Sequence, residues 1–146
     1  MTRVKPAEVH YYVDADVLGL AHVLTALRAD VTYPGDPGGV VHKRKRPPCP
    51  ITTPNTDDDV WIPTVTANDW LIITRDSKIR VHRREITAVR EHHARMITIV
   101  GDDAGGTFAQ LEILMCQWRK IQGCLDQRGP FIYAATRTAF RAVPLN

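Results

Sequence analysis

No apolar run in these 146 residues approaches the ~20 residues that a membrane-spanning helix requires, which excludes a helical membrane protein. The first residues, Met1 to Glu8, have no apolar stretch of the kind that marks a secretory signal, so a cytoplasmic location is expected. Cysteine is scarce. Cys49, Cys116 and Cys124 are an odd number, and none is spaced with histidine as zinc ligands are; free thiols in a reducing compartment follow. A large charge of one sign is also lacking: the net charge of +3 permits an acidic partner such as nucleic acid without demanding one. Internal repeats are absent. What remains is an ordinary soluble composition, 44% apolar and 24% charged, long enough for one domain over 1–146 with a real core.

The most informative stretch runs from Asp69 to Lys78. Trp70 to Ile73 is a short apolar run with polar turn-forming residues on both sides, the pattern of a strand buried on both faces. It leads into Thr74, Arg75 and Asp76. Val9 to Val13 repeats the pattern and ends in Asp14-Ala15-Asp16. In open α/β sheets, ligands gather at the carboxyl ends of such strands, so both strands are expected to deliver carboxylates to one cleft.

Between and beyond these strands the chain alternates. Asp16 is placed to cap a helix whose apolar face runs from Val17 to Leu27. Asp30 to Tyr33 reads as a strand, and residues 34–56, rich in Pro, Gly and Thr, as a long basic surface loop. Asp57-Asp58-Asp59 opens a short helix, with Pro63 tolerated near its first turn. Arg83 to His93 reads as helix, Met96 to Val100 as strand, Gly101 to Gly106 as an exposed turn, Thr107 as the cap of a helix through Ile121, and Phe131 to Ala135 as the last strand. Regular alternation of this kind predicts a three-layer α/β/α sandwich with a mostly parallel central sheet.

Asp14, Asp16, Asp57, Asp58, Asp59 and Asp76 all map near strand ends or a helix start. Each taken alone fits a helix cap or a turn residue. Carboxylates gathered in one cleft repel one another unless a cation joins them, and an all-oxygen set suits Mg²⁺ or Mn²⁺ rather than zinc. Such an ion can activate water against a phosphodiester.

Three segments then resemble the PIN-like nucleases, a group that includes the toxins of VapBC-type toxin–antitoxin pairs. They are Tyr11-Tyr12-Val13-Asp14-Ala15-Asp16, Asp58-Asp59-Val60-Trp61-Ile62-Pro63, and Leu71-Ile72-Ile73-Thr74-Arg75-Asp76. The tail Gly129-Pro130-Phe131-Ile132-Tyr133 is a weaker match. The resemblance implies a PIN-like fold, Mg²⁺ or Mn²⁺ held by Asp14, Asp58 and Asp76, support from Thr74, and hydrolysis of RNA by metal-activated water. It also implies a protein antitoxin as partner, with a homodimer as a further option. The family's usual helix glutamate has no counterpart between Asp14 and Asp58; Asp16, Asp59 and Glu85 are the candidates to replace it. A binding module with an incomplete site is the non-catalytic alternative.

The haloacid dehalogenase-like phosphatases use similar elements. Asp14-Ala15-Asp16-Val17, Leu71 to Thr74 and Gly101-Asp102-Asp103 fit their first, second and fourth motifs, which would make Asp14 a nucleophile and Asp16 a general acid. Their lysine is missing from residues 79–101, and only Lys78 stands in the right interval. Among the cations, Lys43, Arg44, Lys45 and Arg46 are expected to meet RNA phosphates, an acidic antitoxin segment or plain solvent. Arg75 and Arg80, with Arg83 and Arg84, are expected to line a positive channel or to be surface charges. Trp118, with Leu111, Leu114 and Met115, reads as core or partner surface.

Overall fold

The computed structural model describes residues 3–75 and 83–145, with backbone alone for 83 and 84. Its centre is a six-stranded sheet: β2 (Tyr11–Val13), β3 (Val31–Thr32), β6 (Leu71–Arg75), β7 (Arg95–Ile99), β8 (Phe131–Ala135) and β9 (Phe140–Ala142). The spatial order is β3-β2-β6-β7-β8-β9, parallel throughout except for the β8–β9 pair. β6 is buried along Leu71–Thr74, and its side chains alternate between two cores. Leu71 and Ile73 face α1 (Leu18–Leu27) and α4 (Thr107–Gly123), whereas Ile72 faces α2 (Asp58–Ala67) and α3 (Arg83–His92). That two-sided burial explains the unbroken apolar run, and the α/β/α layering is the one predicted.

The chain leaves β2 for β3 on one side and returns through β6 on the other. The strand order therefore reverses between β2 and β6, and the crevice beyond their carboxyl ends is where open α/β sheets bind ligands. The parallel register Val13↔Ile73 brings residues 14 and 74 side by side, and Asp14 N donates to Ile73 O at 2.9 Å.

Several expectations are corrected. Residues 34–56 are not simply loop. β4 (Gly39–Val41) and β5 (Arg44–Arg46) form a hairpin, and β5 pairs in parallel with β1 (Lys5–Pro6) to make a small second sheet. The hairpin turns on His42 and Lys43, both at positive φ (51° and 62°) as a two-residue turn requires. Cys49 and Ile51 return the chain to the α2/α3 core. Arg46, expected on RNA, is 6% exposed and ion-paired with Asp36 at 2.6 Å; it is a structural residue. Asp16 does not cap α1. Asp14 instead caps a 3-10 turn over Ala15–Val17, its carboxylate accepting from Ala15 N at 2.7 Å, and α1 begins only at Leu18. Gly106, not Thr107, precedes α4, and the Thr107 side chain lies against Gly19, so that a Cβ there would force Thr107 or the helix to shift. Pro63 falls in the second turn of α2. The edge strand β9 was not foreseen. Among the described residues no helix is long and apolar enough to cross a membrane.

Candidate active site at the carboxyl ends of β2 and β6

Thr74 is the pivot. It is 3% exposed, on the β6 face that points toward α2 and α3. Its hydroxyl lies 2.8 Å from Asp16 Oδ2 and 3.3 Å from Asp14 Oδ2, so one O–H serves two carboxylates. Asp16 Oδ2 also accepts from Arg75 N at 3.1 Å. The 3-10 turn makes this possible: it swings Asp16 back across the end of β2 onto β6, where a regular helix would have carried it outward.

The electrostatics follow from that crowding. Burial, followed by the neighbouring Asp16 charge, pushes the Asp14 carboxyl up to about 7, against the lowering effect of its bonds to Ala15 N and Thr74. Asp58 adds to the push. The Asp16 carboxyl is also raised, chiefly by loss of water around its inward face, while Thr74 and the Arg75 N–H pull it down. Burial and the Asp14 charge raise the Tyr12 phenol. Among the described residues no lysine or arginine stands within ion-pair distance of Asp14 or Asp16. Only neutral donors hold them, and a hard divalent cation is the partner this all-oxygen set fits.

The other expected residues are placed as follows. Asp58 starts α2 and accepts from the Trp61 indole at 2.8 Å, and its charge is felt at Asp14. Asp59 is exposed in the same turn. Asp76, Lys78 and Arg80 lie outside the described residues. No group of three metal-capable side chains is formed among the described residues; Asp14 and Asp16 are the pair that converges on Thr74. Arg75 follows on the opposite face of β6, its Nε buried without a partner and its charge lowering the Asp16 carboxyl. Asp103 is ion-paired with Arg137, so the Gly101-Asp102-Asp103 segment is engaged there and not with Asp14. Lys43, Arg44 and Lys45 are exposed, but they sit at the amino end of the central sheet, where His42 Nε2 meets Leu27 O at the end of α1. The role of Trp61 in orienting Asp58 was missed; their i, i+3 spacing on a helix was the available signal.

A family model described as a PIN like domain matches residues 10–101, more than half of the chain. The chain belongs to the PIN-like domain family. The matched region holds β2, β6, β7 and all the carboxylates expected at the site. A search of curated proteins and a search of solved structures give no match. PIN-like domains are in general nucleases, and nuclease-type hydrolase chemistry is the coarse function of this PIN-like chain.

Proposed function

We propose that this PIN-like domain is a Mg²⁺- or Mn²⁺-dependent endoribonuclease acting as the toxin of a toxin–antitoxin pair. One observation carries the metal dependence: two carboxylates share the Thr74 hydroxyl, and among the described residues no cationic side chain forms an ion pair with either. Asp14 and Asp16 would hold the ion, with Asp58 at the mouth and Asp76, the residue after Arg75 in the chain, as a further ligand. A bound divalent ion would supply a water of lowered pKa and neutralise charge gathering on the phosphate.

Thr74 Oγ1 and Arg75 N fix one oxygen of Asp16, and Ala15 N fixes one of Asp14. The lone pairs not spent on these bonds remain for the cation. Arg75, on the opposite face of β6, adds a positive charge felt at Asp16, suited to the phosphate of a bound strand. The toxin role rests on the resemblance of three motif segments to the PIN-like nucleases, the group that includes the VapBC-type toxins.

The test is cleavage of end-labelled single-stranded RNA with EDTA, Mg²⁺ or Mn²⁺. Internal cuts should need the metal. Asp14→Asn and Asp16→Asn should lower the rate at least ~100-fold while the circular dichroism spectrum is kept. Cleavage that ignores EDTA sinks the reading; RNA binding without any cleavage makes the chain a binding module. Growth arrest on expression, absent in Asp14→Asn, tests the toxin role.

A further inference from the structure

Thr25, Thr32, Thr74 and Thr98 are the buried threonines among the described residues. Thr25 Oγ1 donates to Ala21 O at 2.9 Å inside α1, and Thr32 Oγ1 donates to Asp36 Oδ2 at 2.9 Å. Thr74 Oγ1 serves Asp14 and Asp16. Thr98 is the exception. It stands near the carboxyl end of β7, is 1% exposed, and its Oγ1 is enclosed with no hydrogen-bond partner among the described residues. A buried hydroxyl left unpaired carries a desolvation cost that a methyl group does not. Valine has nearly the same shape and suits a strand as well, so the fold by itself gives no reason for a hydroxyl at this position.

Its place in the sheet supplies one. Residues in register on parallel strands share a face, and the face alternates along each strand. Tyr12, Ile72, Met96 and Ile132 are in register across β2, β6, β7 and β8 and form an apolar row against α2 and α3. Two residues further toward the carboxyl ends the row becomes Asp14, Thr74, Thr98 and Ala134. Ile97 and Ile99, on either side of Thr98, face the other core. Thr98 therefore stands one strand spacing, ~4.8 Å, from the threonine whose hydroxyl the two acids share. The Thr74 proton is turned toward acids from the β2 end, and a hydroxyl that donates keeps lone pairs to accept with. β7 lies on the side away from β2.

We propose that Thr98 is a positioning residue that acts through Thr74: its side chain turns to donate to Thr74 Oγ1 and commits the Thr74 proton to the acids. Donors in series strengthen one another, and acids held in place before the ion arrives bind it more tightly. The inference rests on the metal-dependent reading above and adds a residue from a third strand to it. Calorimetric titration with Mn²⁺ tests it, together with thermal melts in EDTA. Thr98→Val should melt at or above the wild-type temperature and yet bind Mn²⁺ about fivefold more weakly, and Thr98→Ser should restore the affinity. In a Thr74→Val background, Thr98→Val should cause no further loss. A purely structural hydroxyl would move the melt and leave the affinity alone. Unchanged affinity in Thr98→Val overturns the proposal, as does a lower melting temperature or an equal loss with Thr74 already removed. Wild-type protein that binds no Mn²⁺ refutes the metal-dependent reading and this inference with it; wild-type binding that Thr98→Val leaves intact refutes this inference alone.

Discussion

Two acidic centres in this molecule are built in opposite ways. At Asp36 the carboxylate is enclosed and fully matched: Arg46 meets it at 2.6 and 3.1 Å, Thr32 Oγ1 donates at 2.9 Å, and Gly38 N at 2.9 Å. At Asp14 and Asp16 two carboxylates share neutral donors and receive no cation from the described chain. A buried acid with its own arginine is architecture, here fastening the β4–β5 hairpin to the end of β3. An acid pair with no ion-pair partner among the described residues is, on the proposed reading, a place for a cation to bind. Asp36 is buried, Asp14 half-buried and Asp16 exposed, so burial and the nature of the partner both separate the two cases.

Breaking the matched centre should have the largest effect. Arg46→Met leaves Asp36 without its partner and should cost ~3–5 kcal/mol in urea unfolding, whereas Asp16→Asn should leave stability unchanged or raise it. Equal losses at both would erase the distinction.

The pH response is the next largest. The folded Asp14 carboxyl sits at about 7 against an ordinary 3.8, so the folded state binds more protons than the unfolded state between those values. Stability should therefore fall as pH rises from about 4 to 7, by on the order of 1–2 kcal/mol, since solvent at the site blunts the full shift. Thermal melts in EDTA across that range check the sign, and Mg²⁺ at pH 8 should recover the loss. An EDTA melt that rises over the same range would show that the pair is not strained.

A smaller effect is expected at Thr74→Val, which keeps shape and removes the shared O–H. Metal affinity, read by calorimetry, should weaken about 10- to 100-fold with the fold kept. The smallest is Trp61→Phe. It keeps a ring against Tyr12 but drops the indole bond to Asp58, and should cost no more than about 1 kcal/mol and a few-fold in metal affinity.

The features most legible in the sequence are those whose physics is local or periodic. β6 announced itself because a strand buried on both faces must be apolar at every position. The helices announced themselves through apolar spacing, and the layering followed from alternation. Arg46 did not: beside Lys43, Arg44 and Lys45 it looks like one more surface cation, and only Asp36, ten residues earlier, takes it inside. The β4–β5 hairpin was hidden by its Gly, Pro and charge content, and β9 by its length of three residues. Asp16 was ambiguous because cap and site residue use the same side chain; a single 3-10 turn decides between them. The Asp14–Thr74 meeting was legible as two strand ends, but the register that joins them is tertiary.

The shared hydroxyl and its two acids come from stretches 58 and 60 residues apart. The His42–Lys43 turn lies between them in the chain, at the amino end of the central sheet. Severing the chain there puts both acids on one piece and Thr74 on the other. Neither piece would own a complete centre, so reassembly of the halves becomes a switch.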